Sequence, residues 1–334
     1  MHYSPALDGI RAVAALAVVA FHAKVPGSGG GFLGVDVFFV LSGYLITRLL
    51  REEYATTGTI GLSRFYWRRL RRLYPALLLL LLAYAALAPM LLPRLSTSQH
   101  MQDAVIAALY LTDYSRWFGL PTDILSHTWS LAVEEQFYLL WPLLLLRLVR
   151  LPDRQAIIWL ACAYLGATVW RLLNVHSGIE PRVVYDRFDT HSTGLILGCL
   201  IGYAKLQLHQ IWGVAAAAIL ALCISYFRFL AADTMTYGVT AAELAAAVLV
   251  VAEPVWLTGT ILPWIGRMSY GLYLWHYPVM RWCRDQFWGW PETLLVGLGV
   301  GLGMAYLSYQ LLEKRLRARS MPSTPLLSAD KPSR

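Results

Sequence analysis

Residues 73–92 run Leu-Tyr-Pro-Ala-Leu-Leu-Leu-Leu-Leu-Leu-Ala-Tyr-Ala-Ala-Leu-Ala-Pro-Met-Leu-Leu without one charged side chain. A stretch of that length and polarity is long enough to cross the hydrocarbon core of a bilayer, where backbone amides find partners only within the chain and the segment is held to a helix. The stretch is not isolated. A window of about 19 residues finds ten apolar spans, at 10–25, 31–50, 73–92, 127–147, 156–173, 191–206, 211–229, 237–253, 261–281 and 292–312. The composition agrees: 57% of residues are hydrophobic and 14% charged, against about 25% charged in soluble domains. The expected fold is therefore an all-α integral membrane protein of about ten transmembrane helices in one bundle, with no appended soluble domain. Residues 1–319 form the membrane domain, and the Pro-, Ser- and Lys-rich residues 320–334 a disordered cytoplasmic tail.

Orientation follows from the basic residues. With the N-terminus in the cytoplasm, eighteen of the 28 Lys and Arg fall inside, among them Lys314, Arg315, Arg317, Arg319, Lys331 and Arg334 of the tail; nine fall outside and Arg11 within the membrane. That bias predicts a multi-pass protein of the plasma (inner) membrane with both termini cytoplasmic. It also accounts for the net charge of +8, so no nucleic-acid partner is inferred. Residues 103–118 are apolar but short, and are read as an interfacial or re-entrant segment on the outer side. The first span holds Arg11, which marks it as retained rather than as a signal peptide. Cys162, Cys199, Cys223 and Cys283 lack the paired spacing of a disulfide framework or a zinc site.

Charged groups inside spans are costly and point to function. Arg11 and His22 share the first span. Eleven residues return to within about 20° of the starting direction, some 16 Å along the axis, so one helix face carries a cation near one end and an imidazole near the other. A snorkelling arginine and a satisfied interior histidine is the plainer alternative. The second span, from Gly34-Val-Asp36 to Ser42-Gly43-Tyr44, sets Asp36 at the depth of His22, where it would fix the imidazole tautomer and raise its basicity, or simply cap the helix. Gly34, Ser42 and Gly43 suit close helix packing or a narrow passage.

Entering the third span, Arg64, Arg68, Arg71 and Arg72 fall within an arc of about 100° while Arg69 points aside. Such a face fits a polyanion or, as a positive-inside signal, anionic lipid headgroups. On the fourth span His127, Ser130, Glu134, Tyr138 and Trp141 form one stripe, beside Trp129 and Glu135, and two adjacent glutamates at that depth require a polar cavity for at least one of them. Near an outer end stands His276, among aromatics that could equally be an interfacial belt.

Five segments taken together resemble the membrane-bound acyltransferase-3 family, whose members acylate glycans, lipid-linked sugars and some secondary metabolites. They are Leu7-Asp8-Gly9-Ile10-Arg11 with His22 after ten residues, Gly34-Val-Asp36 through Ser42-Gly43-Tyr44-Leu-Ile, Phe65-Tyr-Trp-Arg68-Arg69-Leu-Arg71-Arg72-Leu-Tyr-Pro75, Trp129-Ser-Leu-Ala-Val-Glu134-Glu135-Gln-Phe-Tyr138, and Tyr270-Gly-Leu-Tyr-Leu-Trp-His276-Tyr-Pro278. The resemblance implies transfer of an acyl group, most simply acetyl, from cytoplasmic acyl-CoA to a hydroxyl of a sugar-containing acceptor, without a metal. His22 would be the general base, oriented by Asp36 or Glu134. Arg64, Arg68, Arg71 and Arg72 would hold the cofactor phosphates, with Ser42 and Tyr44 along its path and Arg11 drawing the thioester toward His22. His127, Trp129, Glu135, Tyr138 and His276 would receive the acceptor. Many relatives append a soluble hydrolase-like domain, so a second transfer step here would belong to a partner such as a glycan assembly protein. Direct transfer and an acyl-histidine relay both stay open. The competing class is a proton-coupled carrier, for which intramembrane Arg, His, Asp and Glu would serve as well, though no inverted repeat supports it.

Overall fold

A computed structural model describes residues 4–120 and 122–313. All regular elements among them are helices: α1 Pro5–Ala23, α2 Gly34–Thr57, α3 Leu62–Leu91, α4 Thr97–Ala108, α5 Thr112–Ser115, α6 Trp129–Leu148, α7 Asp153–His176, α8 Pro181–Asp186, α9 Phe188–His191, α10 Thr193–Ala204, α11 Gln210–Tyr226, α12 Val239–Ala252, α13 Ile261–Arg267, α14 Ser269–Asp285 and α15 Trp290–Ser308. The all-α expectation holds. The expected tail 320–334, with Lys314, Arg315, Arg317, Arg319, Lys331 and Arg334, lies outside the described residues.

Among the described residues six helical stretches are long and apolar enough to cross a membrane by themselves: Pro5–Ala23, Gly31–Thr57, Leu62–Leu91, Asp153–His176, Thr234–Ala252 and Trp290–Leu311; Thr193–Ala204 and Gln210–Tyr226 are apolar but shorter. The count thus falls below the ten expected from the window. In α6 the apolar run is interrupted by Glu134, Glu135 and Gln136, and α14 ends on Arg281, Arg284 and Asp285. Local signals set the helix ends. Pro5 opens α1, and Lys24 closes it in the left-handed region, its amide returning to Ala20 and Phe21; Gly58 ends α2 the same way, at φ 72°.

Residues 97–120 and 122–126 fold back along α3. α4 starts on a capping box of Ser96 and Gln99. The His100 ring joins the Tyr84 hydroxyl (2.8 Å) and the Leu92 carbonyl (3.2 Å); ten residues after His100, the Tyr110 ring meets Tyr74, ten residues before Tyr84, with centroids 6.4 Å apart. The chain then returns, so that Asp123 bonds Arg94 just beyond α3 at 3.0 Å. The segment leaves and rejoins one end of α3. Arg171, counted among the nine outer basic residues, is instead buried on α7, with Nη1 3.6 Å from Glu243 Oε1 of α12.

Glycine fixes the rotation of α2. A β-carbon on Gly43 would lie 2.1 Å from the Leu195 carbonyl oxygen of α10, and one on Gly198 of α10 would lie 2.1 Å from that of Val40, so the two backbones touch reciprocally where small residues allow it. Gly34 meets Ala14 of α1 in the same manner, at 2.4 Å from its carbonyl oxygen. Gly198→Val is therefore expected to lower stability by about 1–3 kcal/mol or more, because backbone must move to admit the side chain. Thermal unfolding in detergent measures it. Gly166→Ala on α7, where nothing stands within 4 Å, serves as the neutral control, and equal midpoints for the two variants would contradict the packing account.

Candidate functional site: two cavities back to back

Near the Arg64–Arg72 end of the molecule, α1, α2, α3, α6 and the start of α14 surround a cavity of about 90 Å³ whose lining includes Arg11, Ser42, Arg69, Arg72, Glu134, Tyr138 and Arg267. The Glu134 carboxylate accepts hydrogen bonds from the hydroxyls of Ser42 and Tyr138. Arg11 Nη1 rests 3.2 Å from Asp8 one turn earlier, and the Arg69 guanidinium lies 4.6 Å from the centre of the Tyr138 ring. The cavity thus gathers four guanidinium groups, those of Arg11, Arg69, Arg72 and Arg267, with one hydrogen-bonded carboxylate.

The arginines that reach it are not the expected four. Arg64 turns to Glu53 at 3.7 Å with its side chain 59% exposed, Arg68 is exposed, and Arg71 stacks on Trp67 at 4.7 Å. Only Arg72 of that set lines the cavity, joined by Arg69, which the charge pattern alone sets aside. The reason is the apolar stripe of α3. Phe65, Ala76 and Leu80 are buried, and Arg69 and Arg72 fall on the same face at helical spacing from Phe65, so burying the stripe carries both guanidinium groups inward.

At the opposite end a second cavity, about 170 Å³, holds His22, Lys24, His127, Tyr277, Arg281 and Arg284. Here Asp36 does not meet His22. The imidazole of His22 pairs through Nδ1 with Nε2 of His276, at 2.9 Å, and His276 Nδ1 faces the Leu272 carbonyl at 3.0 Å. A carbonyl only accepts, so His276 carries its proton on Nδ1 and presents a lone pair at Nε2. That lone pair takes the proton of His22 Nδ1, leaving Nε2 as the basic nitrogen of His22. His276 therefore occupies the orienting position expected of a carboxylate. His127 completes the group, its ring centroid 6.1 Å from that of His276 and 4.8 Å from that of Tyr277.

Several expected assignments change accordingly. Asp36 is buried against His191 of α9, with Oδ1 2.8 Å from Nε2, and makes no cap for α2. Trp129 stacks on that same His191 ring at 5.1 Å while contributing to the wall of the second cavity. Glu134 belongs to the first cavity, away from His22. Tyr44 leaves the proposed donor path, its hydroxyl bonded to Arg48 and 3.5 Å from Glu253. Glu135 faces an outer groove with Tyr66, Trp67 and Tyr110. The in-register reading of Arg11 and His22 stands, but each lines its own cavity.

One wall separates the two. Val35 of α2 and Tyr273 of α14 line both cavities, and the Tyr273 hydroxyl is pinned by bonds to the His127 carbonyl (2.7 Å) and the Ser130 hydroxyl (2.6 Å). Sequence reasoning missed Tyr273, Arg69 and His191. For Tyr273 the available signal was its place three residues before His276, on the same helical face.

The family model described as an acyltransferase domain matches residues 4–312. The peptidoglycan O-acetyltransferase OatA of Listeria monocytogenes is 32% identical over 83% of this chain and 49% of its own length. The putative peptidoglycan O-acetyltransferase YrhL of Bacillus subtilis is 33% identical over 96% of this chain and 56% of its own. A putative O-acetyltransferase of Staphylococcus aureus is 30% identical over 95% and 58%. The chain thus spans about half the length of these curated relatives. No solved structure matches it.

Proposed function

This chain belongs to the acyltransferase-3 family, and from that premise we propose that it is a ten-pass membrane O-acyltransferase that moves an acetyl group from acetyl-CoA to a hydroxyl of a glycan. The membrane is the plasma (inner) membrane, with both termini cytoplasmic. The Arg11, Arg69 and Arg72 cavity opens to the cytoplasm and takes the donor; the His22 cavity opens outward and takes the acceptor.

The observation that carries this reading is the His22–His276 pair in a cavity that shares Val35 and Tyr273 with the cavity lined by the arginines. Guanidinium forks suit the phosphates of CoA, and the slender pantetheine arm is the part of the donor that fits past the wall. His22 Nε2 removes the proton of the acceptor hydroxyl as its oxygen attacks the thioester carbonyl. The carbon–sulfur bond breaks, the thiolate leaves, and the imidazolium returns the proton to it. The products are an O-acetyl ester and free CoA. Acetylation of peptidoglycan, named for two of the relatives, is the acceptor class this reading adopts.

Purified protein in liposomes, given acetyl-labelled acetyl-CoA and soluble glycan fragments, is expected to transfer label to glycan when acetyl-CoA faces the arginine end. A carrier would instead move substrate under a pH gradient with no labelled product. Folded protein that neither binds CoA nor transfers label would overturn the enzyme reading.

A further inference from the structure

We propose that the acceptor is anionic: the sugar that receives the acyl group carries a carboxylate or phosphate beside its reacting hydroxyl. The proposal rests on the acyltransferase reading above and adds the charge of its substrate.

The His22 cavity is lined by Lys24, Arg182, Arg281 and Arg284, and among the described residues no Asp or Glu lines it. Two of these cations are answered from behind. Arg182 bonds Asp186 at 2.9 Å, and Arg281 bonds Asp123 at 3.0 Å, which it shares with Arg94. For Lys24 and Arg284 no carboxylate of the described residues stands within salt-bridge distance. The Nε groups of Arg281 and Arg284 are buried with no hydrogen-bond partner among the described residues, and buried donors of this kind call for an acceptor. A cavity with two cations that no carboxylate answers recognises an anion.

Position narrows the ligand further. Arg284 Nη1 donates to the backbone carbonyl of His22 itself, at 3.1 Å, so the guanidinium is anchored to the residue that carries the base. A single sugar unit carrying both groups would set its anion at this guanidinium and its hydroxyl at His22 Nε2. Lys24 follows two residues after His22, in the left-handed conformation that closes α1, and supplies the second charge at the mouth.

The test uses the full chain in nanodiscs with acetyl-CoA and three glycan fragments, identical except that one sugar carries a free carboxylate, the matching carboxamide or a phosphate monoester. The charged acceptors are expected to exceed the amide in kcat/KM by about ten- to a hundredfold, the worth of one charge-assisted hydrogen bond, mainly through KM and less so at high salt. The larger of the two ratios identifies the anion. Lys24→Asn, which keeps a residue suited to the left-handed backbone, is expected to cut the preference several-fold, and Lys24→Arg to retain it. Equal use of amide and charged acceptors, or an undiminished preference in Lys24→Asn, would overturn the proposal while leaving the acyltransferase reading intact. CoA binding without transfer to any of the three would overturn both.

Discussion

Replacing His22 by alanine is expected to lower acyl transfer by about 10²–10⁴, the range of general-base catalysis, while leaving expression, detergent extraction and CoA binding near those of the parent protein. The imidazole stands in a cavity, and removing it disturbs none of the lipid-facing surface. The structure sharpens this expectation through His276, a positioning residue that acts on His22 alone. His276→Ala removes the acceptor for His22 Nδ1–H and frees the imidazole to take the unproductive tautomer. His276→Gln restores an acceptor oxygen on the same helix, so partial rescue by Gln over Ala, seen in kcat and not in the donor KM, distinguishes tautomer control from mere packing. Retention of more than about a tenth of activity in His22→Ala would remove it from the base role, and Gln no better than Ala would remove the orienting role from His276.

The second large effect is expected at Arg69 and Arg72. Changing both to Gln should weaken CoA binding by about 1.5–3 kcal/mol per lost contact, as for hydrogen bonds to ionised groups, and should reduce the dependence of affinity on salt. The pair Arg68→Gln and Arg71→Gln is the informative control. Those residues lie closer to the charge cluster that the sequence advertises, yet one is exposed and the other rests on Trp67, so their loss should alter lipid preference and leave CoA affinity nearly unchanged. Titration of CoA against the two double variants at low and high salt gives the answer. An unaltered affinity in Arg69→Gln/Arg72→Gln, or a larger loss in the control pair, would move the donor site elsewhere.

The contrast between those pairs shows what was legible in the sequence. Uninterrupted apolar runs announced the helices, because only a helix satisfies its own backbone in lipid. Helical periodicity placed Arg11 and His22, and Ser130, Glu134 and Tyr138, on inward faces. It was less informative where two faces of one helix competed. The arginines of α3 formed a convincing arc by charge, but the apolar residues Phe65, Ala76 and Leu80 decided which arc turned inward. Partners across helices were hardest to foresee. Asp36 lies close to His22 along the chain, but reciprocal glycine contacts lock α2 against α10 and aim the carboxylate at His191, 155 positions away. His22 finds its partner 254 positions away. Chain proximity sets which helices are joined; small residues set which of them touch and at what rotation.

The shared wall of Val35 and Tyr273 also has an electrical consequence. In the proposed arrangement, with one recess open to each side of the membrane, the membrane potential would fall across the thickness of these side chains instead of across the whole hydrocarbon layer. Each elementary charge carried through that point would exchange about 2.3 kcal/mol per 100 mV with the field. The acetyl group carries none. The phosphates of the donor stay on one side with Arg69 and Arg72, and the cations of the other recess stay with Lys24 and Arg284. Acyl transfer past Tyr273 is then electrically silent: its rate should be indifferent to membrane potential, and the same phenol ring acts as the seal that keeps protons from following the acyl group.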